Sequence, residues 1–447
     1  MNVCINERDL ALKALLSIVE KKEFSHTVLN QILGSYQDLD KRSRAFVTHL
    51  TMGSLEHLLE LDYIINQFSK VLTDKMKPLI RNLLRISVYQ LKYMENIPHA
   101  AVCNEAVKIT KKHKFNALSG FVNGVLRNIS RNLEQVQYPK EKVSYLSVKY
   151  SIPIWILQLW LKEYDEKTVT QMIKSFGQKR DITIRTNLSR ISAESLKSKL
   201  QAEGLEVKQH PYLPYAFSLN NIDYLEGLQS FQAGDFYVQD ASSMLVGELA
   251  QPKPGAFIVD LCAAPGGKSF HLADRLNGTG QIEARDISDK KLRLIQENKE
   301  RGFFENIKVL KADARVPDAQ LLGRVDVVIA DVPCSGLGLL GKKPDLRYNI
   351  SEKGISDLIL LQREILMNGL SYVKPAGTLL FSTCTVNRAE NIENVHWMLE
   401  NFPAFSLAEI KEDLPACLSD SLVDGCLQLL PGIHKCDGFF IAKLVRV

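Results

Sequence analysis

Asp260-Leu261-Cys262-Ala263-Ala264-Pro265-Gly266-Gly267-Lys268-Ser269 is the stretch that decides the fold. An apolar run (257–261) leads into it and a helical pattern (267–276) leads out, so a buried strand turns here into a helix. Ligands of open α/β sheets bind at that carboxyl edge, and small residues with two glycines let a ligand approach the main chain. Asp286 closes the next apolar run, 20 residues beyond Gly266, a place and distance that suit a pair of ribose hydroxyls. Asp313 follows the third run (307–310), where an adenine edge can be read. Together these residues describe a nucleoside pocket; the bland alternative is a tight turn with two helix caps.

The same alternation extends outward. Strand-like runs at 325–330 and 378–381 interleave with helical patterns near 288–301, 354–371 and 388–400, which predicts βαβ units and a C-terminal, doubly wound α/β domain over 236–447. The β-rich 439–445 is expected to complete its sheet. Residues 140–235 read as a small α+β module, with a Trp-containing helix from Pro153 to Leu161, a strand at 182–187, a helix near 192–202 and two short apolar runs within 205–219. Residues 1–135 read as an all-α N-terminal domain. Leu12, Leu15, Leu16 and Val19 recur at helical spacing, as do Leu79, Leu83, Leu84, Ile86 and Val88 after Pro78. Gly120 and Gly124 are expected to let helices pack closely.

A chain of 447 residues, 45% hydrophobic and 24% charged, is ordinary globular composition, and at roughly 150 residues per domain it predicts about three domains. The longest apolar candidate, from Ile152 to Leu161, is ten residues and holds Gln158, too short for a membrane span. Residues 1–7 have neither a basic nor an apolar region, so no signal peptide is expected. Eight scattered cysteines then predict reduced thiols and a cytoplasmic protein. Residues 1–150 hold 22 Lys and Arg against 14 Asp and Glu, a net +8 within a whole-chain +5. Arg81, Arg85, Lys108, Lys111 and Lys112 form basic stripes on this head, which suits a polyanion; a merely solvated basic surface is the alternative.

Two strings mislead. Gly267-Lys268-Ser269 with the strand ending at Asp331 resembles a phosphate-binding loop, but that loop needs glycine where Cys262 stands, and Pro265 removes a donor. Gly336-Leu337-Gly338-Leu339-Leu340-Gly341 matches a dinucleotide fingerprint yet runs into Lys342-Lys343-Pro344 instead of a helix. The informative pair is Asp331-Val332-Pro333-Cys334-Ser335-Gly336 and Ser382-Thr383-Cys384-Thr385. Each cysteine lies just past the fourth or fifth strand, and these strands are expected to be neighbours, which puts two thiols beside the cleft. Zinc would want closer spacing and further ligands, so no metal is expected. A thiolate adding at carbon 6 of a pyrimidine makes carbon 5 nucleophilic toward a methyl sulfonium. Asp331 is placed to offset charge at ring nitrogen 3, a base must then remove the carbon 5 proton, and the nucleotide must be unstacked.

These residues carry a resemblance. The 260–268 segment, Asp331–Gly336, Ser382–Thr385, Phe236-Tyr237-Val238-Gln239-Asp240-Ala241-Ser242-Ser243 and the closing Asp437-Gly438-Phe439-Phe440 are similar to the signatures of S-adenosylmethionine-dependent RNA 5-methylcytosine methyltransferases, the Nol1/Nop2/Sun group. The helical head resembles a NusB-type RNA-binding domain. The resemblance implies a Rossmann-like catalytic domain, S-adenosyl-L-methionine as cofactor, and small-subunit (16S) ribosomal RNA as partner of a monomeric enzyme. It implies that Cys384 is the nucleophile, that Cys334 assists release of the adduct, and that Asp331 faces cofactor and base. Cys262, Ala263, Ala264, Pro265, Gly266, Gly267 and Lys268 would line the cofactor, with Asp286 on the ribose and Asp313 near the adenine. Val332 stands where the group usually has alanine, and Gly341-Lys342-Lys343 lacks a frequent arginine, which bears on RNA grip. The competing readings are a non-catalytic NusB-like RNA-binding factor, a 5-methylcytosine methyltransferase acting on another RNA such as tRNA, and a DNA cytosine methyltransferase, which would attack with the Pro-Cys thiol and has no need of Cys384.

Overall fold

The computed structural model describes residues 6–36, 39–178, 181–220, 222 and 224–447; Cys4 and most of the stretch that bears on a signal peptide lie outside them. The chain divides into two compact units, residues 1–177 with 340–349, and residues 178–339 with 350–447. No helix among the described residues is long and apolar enough to cross a membrane.

The first unit is helical. Its opening helix, Glu7–Glu20, starts where the Asn6 side chain accepts the Asp9 N–H at 3.1 Å, which satisfies one of the free donors of a helix start. Its apolar stripe places Leu12 and Leu15 in the core beside Leu83, Leu84 and Val88 of the helix Pro78–Tyr93. Residues 340–349 also belong to this unit. Asp345 accepts the Ser25 N–H at 3.3 Å and the Ser25 hydroxyl at 2.6 Å. The buried Arg347 donates to the carbonyls of Glu56, Tyr150 and Leu340 at 2.9–3.1 Å.

Two expectations about the head change. Arg81 is held by Glu20 at 2.7 Å, and the buried Arg85 grips both oxygens of Asp62 at 2.6–2.7 Å, so this pair ties helices together and does not form a free stripe. Lys108 and Lys112 are exposed, but Lys112 reaches Asp9 at 2.7 Å. Burial opposes the Asp9 charge, yet hydrogen bonds from Lys112 and His113 hold its carboxyl below the ordinary range. Gly120 and Gly124 have no neighbour within 4 Å of an added Cβ, so they do not serve close packing. The tight glycine is Gly53, whose Cβ would lie 2.1 Å from the Tyr89 ring.

The second unit holds two sheets. In the smaller, β1 (Ile182–Thr186), β2 (Glu206–Gln209), β3 (Ala216–Asn220) and β4 (Phe236–Val238) lie antiparallel in the order β2-β3-β1-β4, beside the helix Ala193–Ala202. Phe236–Val238, expected to open the catalytic domain, instead pairs with β1, Ile184 opposite Val238. The larger sheet contains β5 (Phe257–Asp260), β6 (Gln281–Asp286), β7 (Ile307–Lys311), β8 (Val325–Asp331), β9 (Val373–Thr383), β10 (Phe405–Leu407), β11 (Leu422–Val423), β12 (Cys426–Leu429) and β13 (Phe439–Arg446). Its order is β11-β12-β13-β9-β8-β5-β6-β7, with β10 also on β13. The β9-β8-β5-β6-β7 part is parallel, as expected, and β13 joins β9 antiparallel, so the sheet is mixed. The chain runs outward from β5 to β7 and returns at β8 on the other side of β5. That reversal makes the carboxyl ends of β5 and β8 the switch point where ligands of such sheets bind.

Gly53→Ala is expected to lower unfolding free energy by about 1–3 kcal/mol through overpacking against Tyr89, whereas Gly124→Ala should leave it unchanged or raise it by up to about 1 kcal/mol. Denaturant titration of the two variants checks this; equal effects would contradict the packing described.

Candidate active site

The turn after β5 is fastened from both sides. The Leu261 N–H donates to the Ile329 carbonyl of β8 at 3.0 Å, and the Ala263 N–H to the Arg285 carbonyl of β6 at 2.9 Å. Gly266 sits at φ +107°, and a Cβ there would lie 2.3 Å from the Phe270 ring, so the left-handed turn needs glycine. Gly267 then opens the helix Gly267–Leu276. Asp260 is fully buried; its Oδ2 accepts from the Ser269 hydroxyl at 2.7 Å, while Oδ1 has no partner. Burial pushes its carboxyl up to about 7. Burial also raises the Cys262 thiol, so this sulfur stays protonated.

At the end of β6, Asp286 accepts from the N–H groups of Ser288 at 3.2 Å and Ala264 at 3.4 Å, which joins it to the turn. Asp313, beyond β7 and so two strands from β5, is engaged by its neighbour Arg315 at 2.6–3.2 Å. That pairing holds its carboxyl below the ordinary range. Asp331 ends β8 directly opposite Ser382 of β9. Its oxygens accept from Lys268 Nζ at 2.6 Å and the Ser382 hydroxyl at 2.8 Å. Lys268, which the misleading string would have placed on a phosphate, is here the partner of Asp331.

Past these strand ends, the Cys334 and Cys384 sulfurs lie 3.2 Å apart, and both cysteines are free thiols. The next residues pair as well, with the Ser335 and Thr385 hydroxyls 2.8 Å apart. The hydrogen bond to Cys384, burial and the negative charge of Glu390 all push the Cys334 thiol well up. Either sulfur of the pair can donate to the other. The structure thus brings together Cys334, Cys384, Asp331, Lys268 and the turn, with Asp286 at the adjoining strand end and Asp313 farther along the edge. Among the described residues, no three His, Cys, Asp or Glu side chains are grouped to hold a metal ion.

Sequence reasoning missed the residues that hold this pair. Glu390 is wholly buried and accepts from the Ser335 N–H at 2.7 Å, the Ser335 hydroxyl at 2.5 Å, Asn387 Nδ2 at 2.9 Å and Gln362 Nε2 at 3.1 Å. Gly338 was read only as part of a failed fingerprint. Its N–H donates to the Cys384 carbonyl and its carbonyl accepts the Gly438 N–H, both at 3.1 Å. A Cβ on Gly338 would meet the Gly438 carbonyl oxygen at 2.1 Å. One available signal was the polar run Asn387-Arg388-Ala389-Glu390-Asn391, six residues past Cys384 at its glutamate, within a segment that otherwise reads as a packed helix.

The switch-point turn, the strand-end carboxylates and the unpartnered Asp260 oxygen fit a nucleoside cofactor that bears an amino acid tail. This fold and site define a Rossmann-like, S-adenosylmethionine-dependent methyltransferase. Comparison with known proteins narrows the class. Residues 248–445 match the family described as 16S rRNA methyltransferase RsmB/F, residues 5–131 match the NusB family, and residues 152–223 match the ferredoxin-like domain of RsmF/B-like methyltransferases. The chain is 33% identical over 440 residues to the probable ribosomal RNA small subunit methyltransferase B of Bacillus subtilis, covering 98% of each. It is 30% identical over 464 residues to ribosomal RNA small subunit methyltransferase B of Cronobacter sakazakii, covering 100% of each. The fold is shared with the crystal structure of PH0851, at TM-score 0.84 and 24% identity over 99% of this chain and 100% of that one. It is also shared with NSun6 from Pyrococcus horikoshii with SFG, an S-adenosylmethionine analogue, at TM-score 0.57 and 24% identity over 69% of this chain and 98% of that one. The chain belongs to the 16S rRNA methyltransferase RsmB/F family.

Gly338→Ala must push backbone against backbone, so it is expected to cost about 1–3 kcal/mol of stability and to lower the yield of a short bifunctional thiol reagent bridging Cys334 and Cys384. An unchanged bridging yield in a folded variant would contradict this role for Gly338.

Proposed function

We propose that this rRNA methyltransferase modifies carbon 5 of a cytosine in small-subunit ribosomal RNA through a covalent bond from Cys384 to carbon 6, in the cytoplasm. The observation that carries the reading is the 3.2 Å sulfur pair beside Asp331 at the switch point. S-adenosylmethionine supplies, when bound, a methyl group on a sulfonium; Cys262 to Lys268, Asp286 and Asp313 are the residues proposed to hold it.

The Cys384 thiolate adds to carbon 6, and the electron pair displaced onto the ring makes carbon 5 the nucleophile for the methyl group. Asp331, fixed by Lys268 and Ser382, offers a hydrogen-bonding group to the ring edge, and the Lys268 ammonium supplies positive charge where ring nitrogen 3 gains electrons. A base then takes the carbon 5 proton. The sulfur–carbon bond breaks with its electrons returning to Cys384. Cys334, protonated and within hydrogen-bond distance, stabilises that departing sulfur by donating to it. The family resemblance supports the same roles for both cysteines.

The helical unit is proposed to grip RNA through exposed lysines. Among Lys108, Lys111 and Lys112, replacement of Lys111 by glutamine should weaken RNA binding and flatten its salt dependence by about one counterion. Lys112→Gln should in addition lower thermal stability, because it removes a partner of buried Asp9. Binding isotherms at several salt concentrations, read beside melting curves, check this; an unchanged slope for Lys111→Gln would move the RNA surface elsewhere.

Cys384→Ser should abolish both methyl transfer and the covalent RNA adduct, whereas Cys334→Ala should accumulate adduct while turnover falls by about 100-fold. Gel-shift under denaturing conditions reads the adduct, and bisulfite mapping of ribosomal RNA with and without the gene reads the product. Full turnover by Cys384→Ser, or no gene-dependent 5-methylcytosine in small-subunit RNA, would overturn the proposal.

A further inference from the structure

The two cysteine-bearing loops have no covalent link and belong to different strands, yet their sulfurs sit in hydrogen-bond contact. Something must fix that spacing. The β8–β9 ladder ends at Asp331 and Ser382, three and two residues short of Cys334 and Cys384, and past it the Gly338 N–H on the Cys384 carbonyl ties the loops backbone to backbone. The side chains around that link converge on Glu390. Oε1 takes the Ser335 N–H at 2.7 Å and Gln362 Nε2 at 3.1 Å. Oε2 takes the Ser335 hydroxyl at 2.5 Å, Asn387 Nδ2 at 2.9 Å and the Thr385 hydroxyl at 3.5 Å. Gln362 in turn donates to the Pro333 carbonyl at 3.0 Å, so the residues on either side of Cys334 are tied to one carboxylate.

We infer that Glu390 is a positioning residue for methyl transfer: its buried carboxylate holds the Cys334-Ser335 and Cys384-Thr385 dipeptides edge to edge and so sets the distance between the two sulfurs. This inference rests on the cysteine chemistry proposed above and adds a residue to it. Every donor to Glu390 is neutral, so its charge is hydrogen-bonded but not cancelled. That charge disfavours a Cys334 thiolate.

An amide cannot replace this carboxylate, because the N–H₂ end of glutamine would face donors that already point at it. Aspartate keeps the charge but falls one carbon short of its partners. The test uses full-length Glu390→Gln and Glu390→Asp with wild type, and combines three readouts: melting temperature, kcat and KM for rRNA and S-adenosylmethionine, and the pH profile of iodoacetamide labelling at Cys334 and Cys384 by peptide mass spectrometry. In folded Glu390→Gln, kcat should fall by about tenfold or more while KM for S-adenosylmethionine stays within about twofold. Cys334 labelling should shift to lower pH by about one unit. Glu390→Asp should recover part of the labelling profile.

A folded Glu390→Gln with wild-type kcat and an unmoved Cys334 profile would overturn the inference. If Glu390→Gln fails to fold, Ser335→Ala replaces it; a lower kcat with a shifted Cys334 profile supports the inference, and wild-type values for both overturn it. The labelling arm needs neither RNA nor cofactor. A shifted profile in an enzyme whose wild type makes no 5-methylcytosine would therefore refute the proposed reaction and not the clamp.

Discussion

Parallel pairing of β8 with β9 places Asp331 opposite Ser382, and the catalytic arrangement grows from that register. One residue past β9 and three past β8 stand the sulfurs; directly at the ladder's end stands the carboxylate that Ser382 and Lys268 hold. A slip of one residue would turn every side chain of β9 to the opposite face and carry Cys384 away from Cys334. An irregularity between Val325 and Val327, opposite residues 374–377 of β9, separates this register from the pairing of Val325 with Val373. On its other side β9 is held along six residue pairs by β13, from Thr378–Val445 to Thr383–Phe440.

Charge is arranged around this frame with an unusual economy of cations. Lys268 serves Asp331, whereas Glu390 and Asp260 are buried with hydroxyl and amide donors alone among their hydrogen-bond partners. Burying a carboxylate without a cation is costly, and the two sites meet that cost differently. Glu390 does so by gathering donors. Asp260, with one oxygen unpartnered, does so by being raised to about 7.

Much of this was legible in the sequence for local reasons. The turn at 260–269, the strand-end acids and the adjacency of the two cysteine loops follow from short-range pattern and the connection rules of βαβ units. What stayed hidden depends on partners far along the chain. Gly338 is needed because Gly438 approaches its backbone, a hundred positions away. Nothing near Arg347 announces that residues 340–349 are built into the helical unit through the carbonyls of Glu56 and Tyr150. β9 begins at Val373, five residues before the expected start, because Pro375 and Gly377 read as punctuation. Charge counting likewise could not tell that Arg85 is spent inside on Asp62 while Lys111 faces water.

The central claim is that Cys384, and not its neighbour in contact, bonds to the target base. Small-subunit rRNA transcribed with 5-fluorocytidine cannot release the carbon 5 substituent as a proton, so the adduct is trapped after methyl transfer. Mass spectrometry of the nuclease- and protease-digested complex should find the methylated fluorocytidine on the peptide that contains Cys384. A nucleotide on the Cys334 peptide, or no adduct from RNA whose unsubstituted form is methylated, would contradict the account.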